Sequence, residues 1–162
     1  MTRVAAIDCG TNSVRLLVAD AERKEDGSIY LKDLTRQMRI VRLGQGVDKT
    51  ASLDPAAIDR TIDAIVEYER MISRLGATAT RFVATSASRD AENRDDFVAA
   101  VREVLNIEPE VVEGTEEASL SFVGAVSGLG VGATAPMLVV DIGGGSTELV
   151  LGDSEVRQAI SI

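Results

Sequence analysis

The chain has 162 residues, 45% of them apolar and only 3% aromatic, with a formal charge of −9 and no histidine or tryptophan. That length and apolar content suit a globular protein with a core built from Val, Ile, Leu and Ala. The negative charge argues against a nucleic-acid-coating surface. Lack of histidine excludes Ser–His and Cys–His catalysis within the chain and leaves Asp, Glu, Lys or Tyr as any general base. One cysteine, Cys9, excludes an internal disulfide framework and a cysteine-rich metal site. No run of eighteen apolar residues suggests a membrane span, and no charged-then-apolar leader opens the chain. A reducing cytoplasm is the expected setting.

In chain order, residues 3–8 and 14–20 read as a β-hairpin around Asp8-Cys9-Gly10-Thr11-Asn12-Ser13. Asp26-Gly27 marks a polar turn, and Ile29 to Leu43 is strand-like, with Arg36, Arg39 and Arg42 as solvated positions. Asp54-Pro55 predicts a helix start, and Ile58, Ile62, Ile65, Val66 and Ile72 form its apolar face before Gly76 stops it. A short strand is expected over 80–85. A second helix follows, capped by Asn93 and burying Phe97, Val98, Val101, Val104 and Leu105. Glu110-Val111-Val112 reads as a strand, and a third helix from near Thr115 buries Ala118, Phe122 and Val126. The glycine-rich stretch 128–136 reads as a connector. A second hairpin then carries Asp141-Ile142-Gly143-Gly144-Gly145-Ser146-Thr147. The expected organisation is a first domain over 1–127, the connector, and the start of a second domain of the same type over 137–162.

The two loops repeat one device: an apolar strand ending in Asp, a Gly/Ser/Thr turn, and a return strand. Such turns expose backbone N–H groups that bind phosphate oxygens, and the adjoining carboxylate can hold a hard cation. The alternative is a pair of tight hairpin turns, since Gly and Asn accept positive φ readily. Two similar loops, each headed by Asp, favour phosphate binding, with the hydroxyls of Thr11, Ser13, Ser146 and Thr147 as added donors. Arg15 adjoins the first loop and either touches phosphate or pairs with an acid. Glu148 can approach Asp141 across the second hairpin, which favours the metal reading there. Arg89 can reach phosphate with its planar fork. Glu116 and Glu117, read from composition alone, are ordinary first-turn acids that offset a helix dipole.

Four stretches in order, residues 7–16, 84–93, 114–118 and 141–149, resemble the exopolyphosphatase / guanosine pentaphosphate phosphohydrolase family of the actin-like superfamily. The resemblance spans the chain and about half of a two-domain member. It implies an α/β fold, a ribonuclease H-like (actin-like) mixed sheet flanked by helices, followed by the first hairpin of a second such domain. It implies release of terminal phosphate from polyphosphate, guanosine pentaphosphate or both, with Mg²⁺ or another divalent cation such as Mn²⁺. It puts phosphate-binding loops on Gly10, Thr11, Asn12 and Ser13 and on Gly143, Gly144, Gly145, Ser146 and Thr147. It puts a conserved Arg on Arg89, the base on Glu117, and metal-associated acids on Asp141 and Glu148, with Asp8 a further candidate. Full-length members often dimerise. Two rival readings stay open: an ATP-using actin-like sugar kinase, and a non-catalytic polyphosphate or alarmone-binding module. A chain of this extent is expected to have weak activity or none by itself.

Overall fold

The computed structural model describes all residues except 26, 130–133 and 154. The turn residue Asp26 and the middle of the glycine-rich connector therefore lie outside the described residues. Contacts divide the chain into two compact units, Met1–Val111 and Val112–Ile162.

The first unit opens with the expected hairpin. Strands β1 (Thr2–Cys9) and β2 (Ser13–Arg23) pair antiparallel, and β3 (Ile29–Ile40) pairs with β2. After the short helix α1 (Val47–Thr50) comes α2 (Pro55–Leu75). The Asp54 carboxylate accepts from the Ala56 amide at 2.7 Å, and Pro55 needs no N–H partner at the first helical position. Gly76, at φ 73°, returns its amide to Ile72 and Ser73 and ends the helix. Strand β4 (Ala79–Ala84) adds parallel to β1, the one-turn helix α3 (Ser86–Arg89) follows at once, then α4 (Arg94–Leu105) and a two-residue strand β5 (Glu110–Val111). The sheet order is β3-β2-β1-β4-β5.

One face of this sheet, carrying Ala5, Ile7 and Cys9 of β1 and Val14, Leu16 and Val18 of β2, is buried with α2 and α4 in a single apolar core. Its largest fully buried side chain is Tyr68, which the aliphatic periodicity of α2 does not announce; its hydroxyl donates to Val14 O at 3.0 Å. Asn93 departs from expectation. Its side chain caps no helical amide and instead accepts from Leu53 N and donates to Leu53 O, at 2.7 and 3.1 Å. A segment forty residues away offers both a donor and an acceptor, whereas a cap uses the amide oxygen only. Arg36 and Arg39 are exposed strand residues paired with Asp33 and Glu67, but Arg42 leaves the strand at φ 51°.

Arg3 joins three elements: its guanidinium grips Asp20 at 2.7 and 3.2 Å and donates to Leu75 O at the end of α2. Hydrogen bonding from Arg3 holds the Asp20 carboxyl below its ordinary range, and Arg102 and Arg81 do the same for Glu108 and Glu110. A carboxyl depressed in the folded state stabilises it above the unfolded pKa, about 4, and loses that contribution as pH falls through the lower folded value. Thermal melts should therefore fall from pH 5 towards pH 2, about, and Arg3→Met should flatten that slope. An unchanged slope would remove Arg3 from the account.

The second unit consists of α5 (Gly114–Ser127) and three antiparallel strands, β6 (Met137–Ile142), β7 (Thr147–Gly152) and β8 (Val156–Ser161), in the order β6-β7-β8. The helix that the sequence assigned to the first domain packs on this sheet. Ala118 and Phe122 of α5 meet Val150 of β7, with Val139, Val156 and Ala159 around them. β8 is a strand that sequence reading missed. Leu138, Val140 and Ile142 hold in β6 the places that Ala5, Ile7 and Cys9 hold in β1, yet they are exposed.

Candidate functional site

The two loops close in the same way. In the first, Gly10 N donates to Ser13 O at 3.0 Å; in the second, Gly143 N donates to Ser146 O at 2.9 Å. A Cβ on Gly143 would lie 2.9 Å from Ser146 O, so this closure requires glycine there. Gly143, Gly144 and Gly145 are exposed. The amides of Thr11, Asn12, Gly144 and Gly145 donate to no described atom. Thr147 differs from its neighbours: its amide donates to Ile162 O, and only its hydroxyl is left for a ligand.

The flanking pairs distinguish the copies. Asp8 lies opposite Arg15 across β1 and β2, and Asp141 lies opposite Glu148 across β6 and β7. In the first copy the carboxylate meets a cation, Arg15 Nη1 standing 3.5 Å from Asp8 Oδ2. In the second, two carboxylates face each other, an arrangement that raises the energy of a ladder. Neither acid makes an ion pair with a described residue. Glu148 is 1% exposed and accepts from Ser161 Oγ at 2.9 Å, while Asp141 accepts from Ser121 Oγ at 2.6 Å. Two uncompensated carboxylates beside free amides suit a divalent cation, which needs only one or two carboxylates besides water and phosphate oxygens. Among the described residues no group of three or more acidic, His or Cys side chains is placed to hold a metal ion by itself. Asp8, already faced by Arg15, fits a cation less well than Asp141 and Glu148 do.

Glu117 lies in the second unit with this pair. It is the fourth residue of α5, half-buried, whereas Glu116 is exposed. Ser121 stands one turn further on the same helix face, and it is Ser121 that touches Asp141. A cavity of about 200 Å³ opens at the start of α5, lined by Glu113, Gly114, Thr115, Ala118, Ala159 and Ser161. Ser161 links it to Glu148.

Arg89 lies in the first unit beside the first loop. Thr85 N donates to Cys9 O at 3.1 Å, and the hydroxyls of Thr11 and Ser86 share a hydrogen bond of 2.9 Å. The Thr11 hydroxyl is thus engaged with α3, the helix whose last residue is Arg89. Arg89 Nε lies 3.4 Å from Asp90 Oδ1, with its side chain 18% exposed. Burial, chiefly, and Asp8 push the Cys9 thiol far up, so it stays a neutral core side chain. Ser86, Ser121 and Ser161 were absent from the expected set. Ser86 lies within the 84–93 motif, but no spacing rule ties it to Thr11 or the other two to the acids.

Among the described residues no helix is long and apolar enough to cross a membrane. The sequence profile of the Ppx/GppA phosphatase family matches residues 21–162. The chain is 53% identical to exopolyphosphatase 2 of Mycobacterium tuberculosis over 170 aligned positions, covering 99% of this chain and 51% of that protein. It is similar to the crystal structure of an exopolyphosphatase-like protein at 45% identity, with a TM-score of 0.90 over 99% of this chain and 50% of that one. An Aquifex aeolicus member of the Ppx/GppA family matches at 33% identity, with a TM-score of 0.81 over 99% and 51%. The chain spans about half the length of the curated relatives it matches first. Its mixed sheet flanked by helices is the actin-like architecture of these neighbours. On the family profile and these matches together, this chain belongs to the Ppx/GppA phosphatase family.

Proposed function

We propose that this chain carries phosphate-binding and catalytic residues of a phosphohydrolase that releases terminal phosphate from inorganic polyphosphate, guanosine pentaphosphate or both. The observation that carries this reading is the repeated loop whose second copy replaces Arg15 by Glu148. One copy is neutralised from within the chain, while the other keeps two carboxylates beside exposed amides. Each unit supplies its own grip on phosphate: Gly10–Ser13 with Arg89 in the first, and Gly143–Ser146 with the Thr147 hydroxyl in the second. Asp141 and Glu148 would hold a divalent cation, Mg²⁺ or Mn²⁺, which when bound neutralises phosphate charge in the transition state. Glu117 orients the attacking water and takes its proton, since phosphoryl transfer to water needs a positioned acceptor and the chain has no histidine. Arg89 fixes phosphoryl oxygens with its planar fork.

The test is phosphate release measured with polyphosphate, guanosine pentaphosphate, and ATP plus sugars, with Mg²⁺ and with EDTA. It is run on this chain and on its fusion to the C-terminal half of the mycobacterial relative. Metal-dependent release from either phosphoanhydride substrate is expected from the fusion, with weak release or none from this chain alone. Phosphorylation of a sugar in place of hydrolysis would support an ATP-using kinase instead, and tight polyphosphate binding without release from the fusion would support a binding module.

A further inference from the structure

We propose that Arg60 is a positioning residue for the first phosphate loop, acting through the backbone of residues 41–44. The proposal rests on the phosphate reading of that loop. Arg60 lies on α2 and is not part of any phosphate-binding motif. Its Nη1 donates to Ala56 O at 3.0 Å, which fixes the guanidinium on its own helix. Its Nε and Nη2 both donate to Val41 O, at 3.1 and 3.0 Å. The next links run into the loop. Val41 N and Arg42 N converge on Asn12 O, each at 2.9 Å, and Gly44 N donates to Thr11 O at 2.9 Å. Arg42 takes a left-handed φ of 51°, so the chain turns immediately after the two amides that meet Asn12 O.

A trans peptide points its carbonyl and its N–H in opposite directions. With Thr11 O held by Gly44, the Asn12 N–H is aimed away from residues 41–44, and it donates to no described atom. The clamp therefore presets the direction of a phosphate-binding amide before any ligand arrives, which lowers the ordering cost of binding. Gly44 is the clearance in the device. A Cβ there would overlap the Thr11 methyl and stand 3.1 Å from Ala87 Cβ. Loop, segment 41–44 and α3 thus meet at one bare backbone position, and Thr11 can keep its hydrogen bond to Ser86. The same contact ties the loop to the helix of Arg89, so the clamp also sets the loop relative to that guanidinium.

The experiment titrates tripolyphosphate into the chain, following affinity by calorimetry and the Asn12 amide by ¹⁵N–¹H NMR, with Tm recorded for every variant. Arg60→Met should weaken tripolyphosphate by about tenfold and suppress the Asn12 amide response. Arg60→Lys should recover part of both, since an ammonium can still meet Val41 O. Val101→Ala, a buried change on α4, should lower Tm while leaving affinity and the Asn12 response as they were; a matching loss of affinity in that control would overturn the positioning role. A folded Arg60→Met chain that binds as tightly as the unaltered one would overturn it and leave the phosphate reading standing. If Arg60→Met does not fold, Arg60→Lys decides: unchanged affinity overturns the proposal, and weakened affinity with a preserved Tm supports it. An unaltered chain whose Asn12 amide ignores tripolyphosphate would overturn the phosphate reading and the clamp with it.

Discussion

Glu117→Gln is expected to lower phosphate release by on the order of 10²–10⁴-fold while leaving polyphosphate binding intact. The substitution conserves shape and the ability to accept a hydrogen bond but removes the basic carboxylate. Binding is assigned to loop amides and Arg89, which the change does not touch. Glu116 supplies the internal control. It is the exposed neighbour, turned about 100° around the helix, so Glu116→Gln should keep most of the activity. Orientation separates the two: only Glu117 shares the helix face of Ser121, whose hydroxyl reaches Asp141 at 2.6 Å. Both variants are measured in the fusion described above, with binding followed separately. Undiminished release by Glu117→Gln, or an equal loss in Glu116→Gln, would end the assignment.

Phe122→Ala is expected to unfold residues 112–162 while residues 1–111 stay folded. Full truncation of a buried Phe costs about 3–5 kcal/mol. A segment of about fifty residues carries on the order of 3–8 kcal/mol of stability, so the loss is comparable with the whole. The core here is small: Ala118, Phe122 and Val150 are its fully buried members. Phe122 also packs on the last residue of β7, where a Cβ on Gly152 would stand 2.7 Å from its ring. Amide exchange should lose protection throughout β6, β7 and β8 and keep it in β1, β2 and β4, whose core is built around Tyr68, Phe82 and Phe97. Retained protection in β7 would show that the cluster around Phe122 is not what holds this unit.

The motifs of the candidate site are legible in the sequence. The two Asp-headed glycine loops, Arg89 and the Glu116-Glu117 turn are contiguous motifs, and the structure builds both loops with the same internal hydrogen bond. What was not legible is which partners those residues meet. The Thr11 hydroxyl, a candidate phosphate donor from its motif, shares a hydrogen bond with Ser86, seventy-five residues on. The sequence favours Asp141 over Asp8 as a cation site because Glu148 follows in the same hairpin, and register adds that Arg15, not a second acid, lies opposite Asp8. The strand β8, with mixed polarity and little alternation, gave no period to find. The one-turn helices α1 and α3 are too short to show one.

Features that depend on a few neighbouring residues were determined by the sequence itself: the Asp54-Pro55 start, the Gly76 stop, the aliphatic stripes of the helices and the twin loops. Their causes, a cap, a left-handed backbone or a helical period, act over at most a few turns of chain. Tertiary structure alone decided the packing of α5 on β6–β8, the Asn93 link to Leu53, the Thr11 link to Ser86 and the Arg60 clamp. Each of those joins segments separated in sequence, and a carbonyl or hydroxyl carries no local mark of the distant partner that will satisfy it.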